Sequence, residues 1–257
     1  MTTDDKSHSA GRIDVHQRGS AYLATSYSSE NRPLNPYVET MSAYLHKTVF
    51  NDNAGRLLDI GCGRGDQMRA FARRGLACSG TDIAASAVDL APGFDVRVAN
   101  LETDMSPFEA AQFDFVYSKS VIEHMHQPDR FLDVALNSLK PGGLACILTP
   151  SWFHTYRIFF MEYTHVRPFT IESLETAMRM AGFINVKVNY FYQLPFLWKN
   201  PSLMPLVKTL GALANMTGLP YRPIRKAPWP EKLNTLIRFS HDVMLMGVGE
   251  RPLGSTQ

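Results

Sequence analysis

Three glycines, Gly61, Gly63 and Gly65, alternate with other residues directly after a short apolar run at 56–60. Glycine lets the chain turn tightly and lets the backbone approach a ligand closely. Asp59 stands just before this loop, and Asp82 ends the next apolar run. The residue types and their spacing therefore predict a ligand site where a buried strand passes into a helix, flanked by carboxylates.

The spacing of the glycines argues against two common nucleotide-binding loops. A dinucleotide-binding loop follows the pattern G-x-G-x-x-G, but Asp66 occupies the position of its last glycine. A phosphate-binding P-loop needs G-x-x-x-x-G-K-[ST], which the sequence lacks. A nicotinamide or nucleoside triphosphate site is therefore not expected at this loop.

Two histidines are candidates for moving a proton near neutral pH, because the unperturbed pKa of histidine is about 6.5. His124 follows a predicted strand at 113–118, and His165 lies in the segment 163–170. The alternative is that His124 caps or packs locally and that His165 anchors a loop. His126 lies close to His124, but two histidines without a third ligand make a poor metal site, so no metal is expected.

The elements that position these residues alternate along the chain. Apolar runs predict strands at 56–60, 77–81, 95–99, 113–118, 144–149, 184–192 and 243–248. Periodic segments predict helices at 35–50, 66–74, 84–90, 129–139 and 172–181. Strands alternating with helices predict right-handed βαβ units and a parallel sheet covered by helices on both faces.

As a set, these motifs resemble the class I S-adenosylmethionine-dependent methyltransferases, in particular type 11-like enzymes of bacteria. The resemblance rests on the glycine loop, Asp82, the segments 100–102 and 121–124, and the turn at 139–143. It covers about residues 55–192. It implies an α/β, Rossmann-like fold with a seven-stranded sheet whose last strand runs antiparallel. A helical or irregular insertion would separate the last two strands.

The resemblance also implies S-adenosylmethionine as the cofactor. Asp82 would accept hydrogen bonds from the ribose hydroxyls, for which a carboxylate is suited because it only accepts. The alternative is that Asp82 caps the following helix. The cofactor-binding residues that the resemblance implies are Asp59, Gly61, Cys62, Gly63, Asp82, Ile83, Asn100, Leu101, Glu102, Ser118 and Lys119.

The region after the fourth strand bears on the methyl acceptor. Residues 118–121 differ from the Asn/Asp-Pro-Pro-aromatic motif of enzymes that methylate adenine or glutamine nitrogen. Quinone-precursor O-methyltransferases resemble the chain around Glu123 and His124, but Ser120 replaces an additional acid of their metal site. The segment 163–174 is similar to bacterial methyltransferases of glycan and small-molecule pathways.

These similarities predict O-methylation of a small molecule or of a sugar or glycan hydroxyl, with His124 or His165 as the base. Trp152, Tyr156, Tyr163 and Arg167 are the predicted substrate-binding residues. Two alternatives stay open. One is N- or C-methylation of a small molecule, including quinone-type precursors, and the other is a non-catalytic protein that binds adenosylmethionine.

Composition and charge set the remaining expectations. The chain of 257 residues has a net charge of +2, which weighs against a dedicated nucleic-acid binder. Residues 193–257 carry 8 basic and 3 acidic side chains, so the positive charge lies near the end of the chain. Three cysteines without a C-x-x-C pair predict a reducing compartment and no disulfide framework. Without a signal-peptide pattern, the predicted location is the cytoplasm, with a peripheral position at the inner membrane face as a variant.

The predicted organisation has four parts. A mobile tail covers 1–34, a cofactor-binding core covers 35–192, a basic, proline-rich insertion or lid covers 193–240, and the last strand and a tail cover 241–257. The stretch 201–230 is a candidate for covering the acceptor site or touching an anionic lipid surface. The alternatives for this stretch are a homodimer interface or a plain lid.

Overall fold

The computed structural model describes residues 14–26, 35–217 and 231–254. One seven-stranded sheet has the order β3-β2-β1-β4-β5-β7-β6. The strands are β1 (Arg56–Ile60), β2 (Ala77–Asp82), β3 (Asp95–Val98), β4 (Phe113–Lys119), β5 (Leu139–Pro150), β6 (Ile184–Phe191) and β7 (Met244–Glu250). The pairs among β1 to β5 are parallel, whereas β7 runs antiparallel to both β5 and β6. This confirms the predicted fold and its antiparallel last strand.

Ten α-helices surround or extend this sheet within the described ranges. They are α1 (Val15–Ser26), α2 (Pro36–Thr48), α3 (Asp66–Ala72), α4 (Ala87–Leu90), α5 (Pro128–Ser138), α6 (Trp152–Thr155), α7 (Ile171–Met180), α8 (Pro195–Lys199), α9 (Met204–Thr217) and α10 (Glu231–His241). In the same ranges, no helix combines the length and the apolar composition needed to cross a membrane.

Both faces of the sheet are covered, which explains why the inner strands read as nearly continuous apolar runs. On one face, α5 and α7 bury Phe131 and Leu174 in a core cluster that also contains Val116 of β4. On the other face, α2 and α3 bury Leu45 and Phe71 against the sheet. These two clusters fix the central strands, so their carboxyl ends form one rigid edge.

Helix α1 lies within the range that was predicted to be a mobile tail, and that prediction was wrong for the residues of this helix. Leu23 is buried in a cluster with Cys62 and Ala84, at the ends of β1 and β2. Ser20 Oγ accepts a hydrogen bond from the backbone N–H of Ser86 at 3.1 Å, and Gly19 packs against Ala84. Apolar periodicity misses α1 because most of these contacts come from small or polar side chains. Residues 1–13 and 27–34 lie outside the described residues.

The segment between β6 and β7 contains helices α8, α9 and α10, as the predicted insertion requires. Trp198 of α8 stacks on Tyr44 and Phe191, with ring centroids 4.6 and 5.3 Å apart, so this segment is anchored to the sheet and to α2. Helix α10 ends at His241, and the last strand begins at Met244, within one residue of the predicted strand at 243–248. The basic and aromatic stretch at 218–230 lies outside the described residues.

Candidate active site

The glycine loop joins the end of β1 to α3 and rests against β2. The backbone N–H groups of Gly61 and Cys62 donate to the carbonyl of Thr81 at 2.8 and 3.2 Å. Gly61 has a φ of 80°, and a Cβ atom there would lie 2.2 Å from Cγ2 of Val121. Two features therefore disfavour a side chain at this position: the left-handed backbone conformation and the close approach of the segment after β4.

Asp82 holds the loop from the end of β2. Its Oδ2 accepts a hydrogen bond from the N–H of Gly63 at 2.8 Å, and its Oδ1 accepts one from the N–H of Ala84 at 2.9 Å. Burial raises the pKa of Asp82, and these backbone N–H groups counteract part of that rise. Each carboxylate oxygen can accept more than one hydrogen bond, so capping and ligand binding are compatible roles.

Asp59 places a second carboxyl group at the neighbouring strand end. The residue is buried, and its pKa is raised to about 8, first by burial and then by the nearby charge of Asp82. A cationic ligand at this edge would favour the ionised form of both carboxyl groups. The two carboxyl groups at this edge therefore suit a ligand that carries both positive charge and hydroxyl groups.

The other predicted cofactor residues lie along the same edge. Asn100 Oδ1 accepts from the N–H of Glu102 at 3.1 Å, and Leu101 between them is buried. The carboxylate of Glu102 accepts hydrogen bonds from the backbone N–H groups of His126 and Gln127. Residues 100–102 thus connect the end of β3 to the start of α5. They line this side of the site.

Four predicted cofactor residues use their polar groups within the protein. Ser118 is buried and its hydroxyl donates to the carbonyl of Ile60 at 2.8 Å, so it stabilises the β1–β4 pair. The thiol of Cys62 is buried, which raises its pKa. The carbonyl of Ile83 accepts a hydrogen bond from His16 of α1 at 2.8 Å. The charge of Lys119, at the end of β4, lowers the pKa of Glu123.

A second cluster, formed by Glu123, His124 and His165, lies after the end of β4. Glu123 and His124 belong to a short 3-10 turn, Ile122–His124. The N–H groups of Val166 and Arg167 both donate to the carbonyl of Glu123, at 2.9 and 3.0 Å, and this bonding draws the segment around His165 onto the turn. One side-chain ligand atom from each member of the cluster lies within 4.8 Å of the others.

Backbone carbonyls fix the orientation of both histidine rings. Nδ1 of His124 lies 3.1 Å from the carbonyl of Thr164, and Nδ1 of His165 lies 2.8 Å from the carbonyl of Phe159. Because a carbonyl only accepts, Nδ1 carries the proton in each ring and Nε2 keeps its lone pair. Burial and the neighbouring His165 lower the pKa of His124 to about 4, and burial also lowers the pKa of His165. Both rings are therefore neutral near pH 7.

Glu123 is fully buried between the turn and β5. Its Oε2 accepts a hydrogen bond from the hydroxyl of Thr149 at 2.9 Å. Its Oε1 is also buried, and the side chain of Ser120 lies near enough to this carboxyl group to lower its pKa. Burial raises the pKa of this carboxyl group to about 7.

The predicted substrate residues fall into two groups. Trp152 packs edge to face on Phe159 at a centroid distance of 5.7 Å and on Tyr156 at 6.3 Å. Phe159 in turn lies 4.5 Å from the ring of His165, which connects Trp152 to the cluster. Tyr156 is 47% exposed at the rim of this aromatic group.

The other two predicted substrate-binding residues, Tyr163 and Arg167, have their side chains outside the cluster. The side chain of Tyr163 is 84% exposed, because the turn around it directs the backbone of Thr164 toward His124 instead. Arg167 donates from Nη2 to the carbonyl of His126 at 3.4 Å. It lines a separate depression of about 290 Å³ with Arg130 and Ser173.

Sequence reasoning missed several neighbours of the cluster. Tyr22 of α1 makes an edge contact with His124 at a centroid distance of 6.5 Å. Thr149, at the end of β5, bonds Glu123, and Phe159 packs on His165. The position of Thr149 at a strand end was a signal for this site. Tyr22 lies about a hundred residues before His124, and no local pattern connects the two.

Comparison with known proteins gives the family. A family model described as a methyltransferase domain matches residues 30–188. The ubiquinone biosynthesis O-methyltransferase of Brucella anthropi is 29% identical over 135 residues, which are 46% of this chain and 54% of that protein. The chain thus spans about half the length of the curated relatives it matches.

Solved structures show the same fold at low sequence identity. A chain of the complex between the Haloferax volcanii Trm112 methyltransferase activator and a methyltransferase matches with a TM-score of 0.66 and 17% identity. The match covers 95% of this chain and 100% of that one. Haemonchus contortus phosphoethanolamine N-methyltransferase 2, in complex with S-adenosyl-L-methionine, matches with a TM-score of 0.61 and 17% identity, over 94% and 61% of the two chains.

The family model covers more than half of the chain, and it includes the glycine loop, Asp82 and the turn that carries Glu123 and His124. The strand order, with the antiparallel β7 between β5 and β6, agrees with this match. The chain belongs to the methyltransferase domain family, as one of its class I, S-adenosylmethionine-dependent members.

Proposed function

We propose that this protein transfers a methyl group from S-adenosylmethionine to a hydroxyl group of a small-molecule acceptor. The observation that carries the proposal is the pair of neutral histidines beside the buried Glu123, at the carboxyl edge of the sheet. A hydroxyl acceptor has to lose a proton during the transfer, and this cluster offers lone pairs for that step.

The donor side would hold the cofactor through the groups already described. Asp82 would accept hydrogen bonds from the ribose hydroxyls, and the loop at 61–63 would bring backbone close to the amino-acid portion. Asp59 would balance positive charge, and residues 100–102 would border the adenine. The bound cofactor supplies a methyl group that its sulfonium already activates, so the main task of the protein is to position the acceptor.

On the acceptor side, the Nδ1–H groups of His124 and His165 donate to backbone carbonyls, so the two Nε2 atoms are the proton acceptors. An imidazolium formed there would be stabilised by the carboxylate of Glu123, which lies within the same cluster. A pKa of about 4 makes His124 a weak base in the resting protein. Because of this weakness, the carboxylate is an essential part of the proposed site.

The body of the acceptor would lie against the aromatic group formed by Trp152, Phe159 and Phe160. The ring of Trp152 lies 5.9 Å from that of Phe160, whose side chain is largely exposed. Such a wall suits a flat or apolar acceptor, for instance a quinone-type phenol, and it can also stack on a sugar ring. The name of the Brucella anthropi relative, a ubiquinone biosynthesis O-methyltransferase, supports the choice of a hydroxyl.

The proposal is tested by incubating the protein with S-adenosylmethionine and panels of hydroxyl, amine and carbon acceptors. Donor consumption and product masses are the readouts. We expect a methylated oxygen in at least one phenol or sugar. Methylation confined to nitrogen or carbon would contradict the hydroxyl assignment. Donor binding without transfer to any acceptor would favour a non-catalytic binding protein, and absence of donor binding in calorimetry would contradict the donor site.

A further inference from the structure

We propose that the depression beside Arg130 and Arg167 is an anion-binding site, which takes the phosphate or carboxylate group of a small molecule. The depression lies where the starts of α5 and α7 meet the segment that follows His165. Its volume is about 290 Å³, close to the roughly 300 Å³ at which small-molecule sites begin. Its lining includes neither the glycine loop nor the side chains of the Glu123 cluster, so the sites described above do not already use it.

The first argument is the state of the two arginines. The guanidinium of Arg130 donates to the carbonyl of Thr103 at 3.1 Å, and that of Arg167 donates to the carbonyl of His126 at 3.4 Å. Among the described residues these are the only hydrogen bonds of the two groups, so each guanidinium is oriented but keeps further N–H donors for a ligand.

Neither arginine is neutralised by a neighbouring carboxylate. Arg130 interacts electrostatically with Asp104, but the ion pairs of the described part of the chain include neither Arg130 nor Arg167. Two guanidinium groups in this state suit a phosphate or carboxylate, because the planar fork of arginine matches the oxygen atoms of both.

The second argument is the electrostatics of the surrounding backbone. Helix α5 begins at Pro128 and α7 begins at Ile171, so the positive ends of two helix dipoles lie at the depression. The first turn of α5 has no side-chain cap, since Gln127 makes no such hydrogen bond to it among the contacts described. Both helix starts therefore add to the attraction that the arginines exert on an anion.

The third argument is the rest of the lining. Arginine contributes two positive charges, against one negative charge from Asp129. Pro128 and Phe169 are buried, and they give the depression an apolar part. Low polarity beside the arginines strengthens their attraction for an anion. The same apolar part can contact the carbon skeleton of an organic phosphate or carboxylate.

The position of the depression favours the methyl acceptor as the carrier of the anionic group. Arg167 lies two residues after His165, so their Cα atoms are at most about 7 Å apart. The N–H of Arg167 also donates to the carbonyl of Glu123 at 3.0 Å. A small acceptor can therefore place its hydroxyl at the histidines and its anionic group at Arg167. This link to the acceptor rests on the proposed function, whereas anion binding itself does not.

The binding test titrates the full chain with inorganic phosphate in calorimetry, at low and constant ionic strength because salt screens exposed charges. We expect one phosphate per chain, and Arg130→Gln and Arg167→Gln should each weaken its binding at least about tenfold. Asp129→Asn should instead strengthen binding at least about twofold, because it removes the negative charge of the lining. Arg74→Gln, at an exposed arginine outside the depression, is the matched control and should bind phosphate as the unmodified protein does.

Two phenols then distinguish an anionic acceptor from a free anion. Hydroquinone monophosphate should bind more tightly than hydroquinone, and Arg167→Gln should abolish the difference. Inorganic phosphate should compete with the phosphorylated phenol. Affinity for S-adenosylmethionine shows that each variant is folded.

Absence of saturable phosphate binding, or binding that neither arginine variant weakens, would overturn the anion site. Phosphate binding that both variants weaken, together with equal affinities for the two phenols, would assign the site to a free anion and overturn its link to the acceptor. Phosphate binding that both variants weaken, without methyl transfer to any hydroxyl, would support the anion site and contradict the proposed function.

Discussion

The proposed donor side and the proposed acceptor side of this site are built in different ways. The donor side uses one continuous loop at 59–65 and one carboxylate from the next strand, and most of its contacts come from the backbone. The acceptor side combines side chains from the turn Ile122–His124, β5 and the segment around His165, with α1 beside them. The difference indicates that backbone conformation should govern donor binding, whereas side-chain chemistry should govern transfer.

The largest expected effect comes from Gly61→Ala. Its φ of 80° strains alanine, and the new Cβ would collide with Val121. The left-handed conformation costs about 1–2 kcal/mol and repacking about 1–3 kcal/mol, so donor affinity should fall about a hundredfold in calorimetry. Gly93→Ala is the matched control, because Gly93 has a φ of 88° but nothing within 4 Å of a new Cβ. Equal donor affinities of the two variants would contradict the close approach of the loop and Val121.

A second effect concerns the stability of the protein as a function of pH. The pKa of Glu123 in the folded protein is about 7, above its ordinary value of 4.5, so the folded state binds more protons between these two pH values. Stability from this group is therefore lost as pH rises through about 7. The unmodified protein should therefore lose stability from this group between pH 5 and pH 8, and Glu123→Gln should not. Over this range, the unfolding free energy of the variant should rise by roughly 2–3 kcal/mol relative to that of the unmodified protein.

Urea unfolding at the two pH values measures this change. His124 acts in the opposite direction, because its folded pKa of about 4 lies below its ordinary value of 6.5. Its burial therefore lowers stability as pH falls from about 6.5 to 4. The control is Glu175→Gln on α7, which changes a partly exposed carboxylate paired with Arg179 and should not reproduce the effect of Glu123→Gln. If the unfolding free energy of Glu123→Gln instead changes with pH in parallel with that of the unmodified protein, the pKa of Glu123 is not raised in the folded protein.

Asp82→Ala tests whether a side chain matters on the donor side as well. The variant removes the acceptors of the Gly63 and Ala84 N–H groups, and with them the acceptors proposed for the ribose hydroxyls of the donor. Donor affinity should fall by about 1–3 kcal/mol, as for lost hydrogen bonds to a charged group. Asp89→Ala on the exposed face of α4 is the control. An unchanged affinity in Asp82→Ala would mean that Asp82 only caps the following turn.

The smallest effect is expected for the helix that joins the two sides. Ser20→Ala removes the hydrogen bond from the N–H of Ser86 and should weaken donor binding by about 1 kcal/mol, mainly through faster donor release. Stopped-flow displacement of the donor measures that rate. The control is Thr25→Ala on the same helix, which removes a hydroxyl that donates to the carbonyl of Ala21 at 2.8 Å. Identical rates of donor release in both variants would show that the hydrogen bond of Ser20 does not contribute to donor binding.

The same difference explains how much of the molecule could be predicted from its sequence. The sheet and the glycine loop follow from local periodicity and turn chemistry, and the structure has them close to the predicted positions, except that β5 already begins at Leu139. Asp82 was identified because it ends a predicted strand. Helix α1 was missed because His16, Gly19 and Ser20 contact the sheet without an apolar stripe.

On the acceptor side, sequence reasoning found the histidines but not their arrangement. That His165 meets His124 depends on backbone hydrogen bonds between residues about forty positions apart, which no spacing rule encodes. Tyr163 and Arg167 share the segment of His165, but their side chains lie elsewhere because the turn alternates direction. Ser118 was expected at the cofactor, but its hydroxyl is used between β1 and β4.

The central claim is that the two sides act separately on one reaction, and His124→Gln tests it most directly. Donor affinity from calorimetry and methyl transfer to the acceptor found in the panel should be measured on the same preparation. The account predicts a donor affinity within about twofold of the unmodified protein and a transfer rate at least about a hundredfold lower. A transfer rate within about tenfold, or a parallel loss of donor affinity, would contradict it.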